Sequence, residues 1–177
     1  MYVRILTVAL LGTALMVGAS QAQQAPAPAT SPLDVVPEKM PFSEPYGPPI
    51  TLAHAKKLIA AVEAETKKRG WAMNITVVDS GGNLVAFERM DGAQLASIAV
   101  SEHKARAAVM YRRQTKVFED AIQKGGLTYI MTLDGAIASR GGFPLIQGGK
   151  IIGAIGCSGG TGSQDATVCQ VGADMVK

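Results

Sequence analysis

Histidine is scarce in this 177-residue chain, cysteine is equally so, and no apolar run is long enough to span a bilayer. With only His54 and His103 present, a metal site built from several imidazoles of one subunit is disfavoured. The longest apolar run, Ile5 to Val17, holds about a dozen residues where a bilayer core needs about 20, and Gly, Asp, Lys or Arg interrupts every later one. Charge of one sign is lacking as well: 17 Lys and Arg stand against 14 Asp and Glu, a net +3. The basic residues are scattered, apart from Lys67-Lys68-Arg69 and Arg112-Arg113, which suit solvated helix ends. A nucleic-acid partner is therefore not expected.

What is present at the N-terminus has the anatomy of a secretory signal. Arg4 precedes the apolar run, and Gly18-Ala19-Ser20-Gln21-Ala22 follows with small side chains at Ser20 and Ala22, which predicts cleavage after Ala22. No cysteine directly follows the run, which argues against a lipoprotein anchor. A periplasmic or secreted protein, free of the membrane once residues 1–22 are removed, is the expectation. Residues 23–49 are rich in Pro, Ala, Gln and Ser and read as an extended linker, whose Phe42 and Tyr46 could lie along a domain surface. Residues 50–177 are long enough for one domain with its own core.

Within that domain Thr51 can cap a helix carrying Ala55, Leu58, Ile59 and Val62 at helical spacing, and Gly70 ends it. Met73, Ile75 and Val77 alternate toward the turn Asp79-Ser80-Gly81-Gly82-Asn83, and a second strand runs from Leu84 to Met90. Leu95 to Tyr111 is predicted as an alanine-rich helix and Gln114 to Gln123 as a shorter one. Tyr129 to Ser139 reads as loop with a short strand. Phe143 to Gln147 and Lys150 to Cys157 flank Gly148-Gly149 as a second hairpin, and Ser163 is the expected cap of a last helix from Gln164 to Val176. The fold class is α/β of the α+β type, an antiparallel sheet of about five strands with helices on its faces.

Enzyme signatures fail in context. At Gly149-Lys150 the phosphate-loop hydroxyl is replaced by Ile151, and Gly156, Gly159, Gly160 and Gly162 lack the dinucleotide spacing. Gly156-Cys157-Ser158-Gly159-Gly160 matches a nucleophile elbow literally, yet both histidines precede Ser158 instead of following it. A binding module is favoured over an enzyme. Cys157 and Cys169 would meet an oxidising compartment, but a strand end and a position more than a turn into a helix predict a separation beyond the roughly 7 Å limit for a bridge, so two separately buried thiols are expected.

The stretch Val78-Asp79-Ser80-Gly81-Gly82-Asn83-Leu84-Val85-Ala86, then Arg89-Met90-Asp91-Gly92-Ala93, Lys104-Ala105, Gly141-Gly142-Phe143-Pro144-Leu145, Ile152 to Gly160 and Asp165 resembles the GlcG/HbpS family of haem-binding proteins. The same module resembles the C-terminal domain of PduO-type corrinoid adenosyltransferases. The resemblance covers essentially residues 50–177 and implies a profilin-like fold, homo-oligomers and a haem or tetrapyrrole ligand in binding, storage or sensing. A metabolite-binding accessory protein or enzyme, or an interaction module without a small ligand, are the alternatives.

Haem iron accepts imidazole, so His103 is the first candidate ligand and His54 the second. His103 shares a helical stripe with Val100, Ala107 and Tyr111, a floor suited to a flat macrocycle; the competing assignment packs that stripe on a neighbouring subunit. Lys104 and Arg140, with Arg89, could pair with propionates or a small acid, or simply stand in solvent. The loop Ser158, Gly159, Gly160, Thr161, Gly162, Ser163 could aim backbone N–H groups at an anion, in competition with Asp165.

Overall fold

The computed structural model describes residues 35–176, so the expected signal segment at 1–22 lies outside the described residues, as do Lys177 and the linker up to residue 34. Among the described residues no helix is long and apolar enough to cross a membrane. The compact unit begins at Val36.

Helix α1, Leu52–Arg69, starts where Thr51 Oγ1 accepts the His54 N–H, and it stops at Gly70, whose φ of 66° is a left-handed value that glycine adopts without strain. Strands β1 (Asn74–Asp79) and β2 (Leu84–Arg89) form the first hairpin. Its turn is built by Asp79, which accepts the backbone N–H groups of Gly81 at 2.8 Å and Asn83 at 2.9 Å. Helix α2 is Ser97–Met110 and α3 is Lys116–Gln123. Strands β3 (Gly142–Gln147) and β4 (Lys150–Ser158) form the second hairpin around Gly148 and Gly149, both with positive φ. Helix α4, Gly162–Ala173, closes the order.

The sheet runs β2-β1-β4-β3 with every pairing antiparallel. It holds four strands where about five were expected, because Thr128–Thr132 forms a 3-10 turn and no strand follows before Gly142. The cap of α4 is Thr161 rather than Ser163: its hydroxyl accepts the Gln164 N–H while the Gln164 side chain accepts the Thr161 N–H, a capping box that fixes the start two residues earlier.

Alternation along β1 divides the core. Ile75 and Val77 join Leu58, Val62, Ile155, Cys157 and Val168 under α1 and α4, whereas Val78 joins Ala105, Ala108 and Val109 of α2 with Ala154. Helix α2 thus lies on the opposite sheet face from α1 and α4, and the central strand is buried on both sides. Its approach is unusually close because Gly142 and Gly156 stand opposite each other beneath it. A Cβ on Gly156 would sit 2.6 Å from the Ala105 nitrogen, so no larger residue is tolerated without lifting the helix.

Two sequence expectations change here. Cys157 and Cys169 form a disulfide, with Cα atoms 5.5 Å apart and both residues fully buried. The separation was overestimated because α4 turns back across β4 immediately after the glycine turn, and Gly172, where a Cβ would lie 2.8 Å from both Ile155 Cδ1 and Val62 Cγ2, lets it lie close. The segment before Ile50 is also more than a tether. Gly47 donates to the Ile151 carbonyl and Ile151 to the Pro45 carbonyl, and the Tyr46 hydroxyl reaches the Val109 and Met110 carbonyls at the end of α2.

Candidate functional site

The functional residues expected from sequence fall into three places. The first is the outer face of α2. Positions 95, 96, 99, 103, 106 and 110 recur at helical spacing along α2 and the turn before it, and all are exposed, so Leu95, Ala96, Ala99 and Met110 put small and apolar side chains on the face that carries His103, with the charged Arg106 beside them. Arg106 is paired with Glu102 at 2.7 Å and reaches the Gly82 carbonyl. Of the residues grouped with His103, Val100 is half-buried and Ala107 fully buried. Tyr111 turns away as well: its ring meets Phe118 edge-on at 5.1 Å and its hydroxyl donates to the Asp134 carbonyl. The floor next to His103 is therefore Ala96 and Ala99, one residue position round the helix from the expected stripe. His54 is half-buried in the first turn of α1, across the sheet, so the two histidines of one chain do not converge on one ligand.

The second place is the loop from Ser158 to Ser163. It is organised by Asp165, whose Oδ1 accepts the N–H groups of Gly159 and Gly160 at 3.0 Å each, while the Thr161 N–H goes to Gln164. Ser158 is buried and donates to Ser97 Oγ at 3.0 Å. Hence the loop's Gly159 and Gly160 donors serve the chain's own carboxylate, and only Gly162 and Ser163 remain of the expected anion cradle.

Lys104 is corrected with it. Expected at the surface, it is wholly buried: its Nζ lies 2.7 Å from Asp165 Oδ2 and 3.2 Å from the Cys157 carbonyl. The reason is its phase on α2, where it shares the inward stripe with Ser97, Ser101 and Ala108. Gly141, at φ 115°, closes the cluster, since a Cβ there would lie 2.9 Å from Asp165 Cβ and 3.2 Å from Lys104 Nζ. An ammonium this enclosed positions β4 and α4 and is not presented to a ligand.

The third place is a cleft of about 320 Å³ between α3, the start of β3 and α4, and it contains Arg140. Arg140 Nε bonds both carboxylate oxygens of Glu119, at 2.8 and 3.0 Å, and Glu119 Oε2 also accepts the Arg140 backbone N–H. The Arg140 side-chain bonds, the largest influence, hold the Glu119 carboxyl below the ordinary range against the opposing effect of burial. Thr115 ties the far wall by a two-way bond with Gly142, hydroxyl accepting and backbone donating. Sequence reasoning singled out Arg140 but not Glu119 or Thr115, which lie 21 and 27 residues from their partners and leave no local spacing signal. Among the described residues no group of three His, Cys, Asp or Glu is placed to hold a metal ion.

This fold is shared with known proteins. The family described as "Haem degrading protein HbpS-like" matches residues 50–174. The chain belongs to the HbpS-like family. It is 40% identical to protein GlcG of Escherichia coli K12 over 104 residues, 59% of this chain and 77% of GlcG. Protein ORFY of Klebsiella pneumoniae has a crystal structure of the same fold, with TM-score 0.68 at 34% identity over 79% of this chain and 95% of ORFY. The crystal structure of HbpS aligns with TM-score 0.68 at 25% identity, covering 78% of this chain and 98% of HbpS. The HbpS-like match begins at Ile50, so the strap through Tyr46 and Gly47 lies just before the matched residues.

Proposed function

We propose that this HbpS-like chain is an exported, homo-oligomeric haem-binding protein that presents His103 to the iron from the outer face of α2. The observation carrying this reading is the exposed imidazole set among Ala96, Ala99 and Met110, where a flat apolar macrocycle meets little steric obstruction. Haem iron takes imidazole readily, and the rest of the macrocycle gains from covering apolar surface. The family description supports haem as the ligand class. The cleft around Arg140 and a second one lined by Glu63, Lys67, Glu88 and Arg89 contain no histidine, so binding at the surface, or between copies of the chain, fits His103 better than binding in either cleft. An apolar α2 face flanked by exposed Leu84 and Phe87 on β2 also suits assembly of copies.

Hemin titration of the purified protein tests the reading by the Soret band. A saturable shift that weakens at least tenfold in His103→Ala and stays intact in His54→Ala is expected. Featureless, non-saturating absorbance, or equal spectra for wild type and His103→Ala, would overturn it.

A further inference from the structure

We propose that the cleft between α3, β3 and α4 is a binding site for a small carboxylate, received by the unused edge of the Arg140 guanidinium. Arg140 spends Nε and Nη2 on Glu119, and Nη1 finds no partner among the described residues. A guanidinium can hold one carboxylate on one edge and a second on the other, because its donors fan out in a rigid plane. Glu119 has already fixed the side chain, so little rotamer freedom remains to be lost when a ligand arrives.

The walls agree with an acid. Arg140 and Lys116, the latter paired with Asp120, line the cleft together with Ser163 and Gln170, and no Asp or Glu is in the lining itself. Phe143 and Ala166 give it an apolar floor, fit for a short carbon chain. Its volume of about 320 Å³ is about ten times the roughly 30 Å³ that a water occupies in the liquid, room for an acid of a few carbons. A whole macrocycle exceeds this, although a propionate arm would enter. The shared chemistry is a carboxylate on a short alkyl chain, and its source is either a free acid or haem itself.

The test uses oxalate, malonate, succinate and glutarate, with succinamide as the uncharged control, followed by calorimetry and by amide shifts of Gly141, Gly142, Ser163 and Ala166. Hemin and hemin dimethyl ester form the second arm. Arg140→Lys removes the planar fork, and Ala166→Leu fills the floor without touching the Arg140–Glu119 pair; thermal melts check that both fold. Saturable binding of one or more acids, absent for succinamide and weakened at least tenfold in both variants, supports a free-acid site. Loss of hemin affinity in both variants, with the ester unaffected and the free acids silent, supports a propionate site. If neither acids nor hemin respond to Ala166→Leu, the proposal is wrong.

Discussion

Breaking the Lys104–Asp165 pair separates its two halves in a way the geometry makes unequal. Asp165→Asn keeps the Oδ1 acceptor for Gly159 and Gly160 but replaces the oxygen 2.7 Å from Lys104 Nζ by an uncharged group. The ammonium, with a side chain 1% exposed, is left with the Cys157 carbonyl alone, and removal of one partner from such a pair costs about 3–5 kcal/mol. Lys104→Met leaves the opposite charge, yet that carboxylate retains two backbone N–H bonds and sits in the first turn of α4, where the helix dipole contributes about 0.3–1 kcal/mol. Its cost should be lower, about 2 kcal/mol, at the mild end for a buried group losing a charged partner. The double variant removes both charges and should be less destabilised than the two singles together, with a coupling of about 2 kcal/mol. Urea unfolding followed by circular dichroism gives all four stabilities. Additivity within about 0.5 kcal/mol, or an Asp165→Asn cost no larger than that of Lys104→Met, would refute the claim that desolvation of the ammonium governs this cluster.

Other perturbations have equally definite outcomes. The double substitution Cys157→Val with Cys169→Ala opens a 12-residue separation and should cost about 3 kcal/mol, and the wild type unfolded without reductant should show no free thiol by Ellman titration. Glu119 has its folded pKa depressed below the 4.5 of a free side chain, so its stabilisation is complete above that value and lost as pH falls through the lower folded pKa. Thermal melts of wild type and Glu119→Gln should therefore differ at pH 7 and converge in strong acid; a gap unchanged across that range would contradict the assignment. Gly156→Ala places a Cβ against the backbone of α2 and should cost about 3 kcal/mol or abolish folding, measured by the same urea assay. Thr161→Ala removes half of the capping box and should cost about 1 kcal/mol.

Elements with local signals were legible in the sequence. Thr51 and Gly70 mark both ends of α1, the Asp79 to Asn83 turn sets the first hairpin, and Gly148-Gly149 sets the second, because each depends on residues a few positions apart. Contacts across long separations were not. The burial of Lys104 depends on a partner 61 residues away, and the disulfide depends on how closely α4 folds onto β4, which Gly172 decides. A lysine in an alanine-rich helix carries no mark telling whether it faces a carboxylate or water. Ser163 is an ordinary capping residue in sequence, and Thr161 takes the role because Gln164 returns its bond to the Thr161 N–H. His103 is exposed on α2, but its neighbours there are Ala96 and Ala99, not the Val100, Ala107 and Tyr111 that the sequence suggested, because Ala107 faces the sheet and Tyr111 turns to Phe118.

The strap that carries Tyr46 and Gly47 has a consequence for self-association. Strand β4 outlasts its neighbour β1, whose pairing ends at Asp79 opposite Gly153, and the backbone of Ile151 and Ile152 beyond that point is taken by the strap at Pro45, Gly47 and Ile50. Without it those N–H and C=O groups would be an open template beside fully buried isoleucines, the kind of edge at which strands from other molecules add on. The proline-rich sequence suits this guard duty: Pro48 and Pro49 have no N–H to offer a further strand, so the strap covers β4 without extending the sheet's hydrogen-bonding pattern outward.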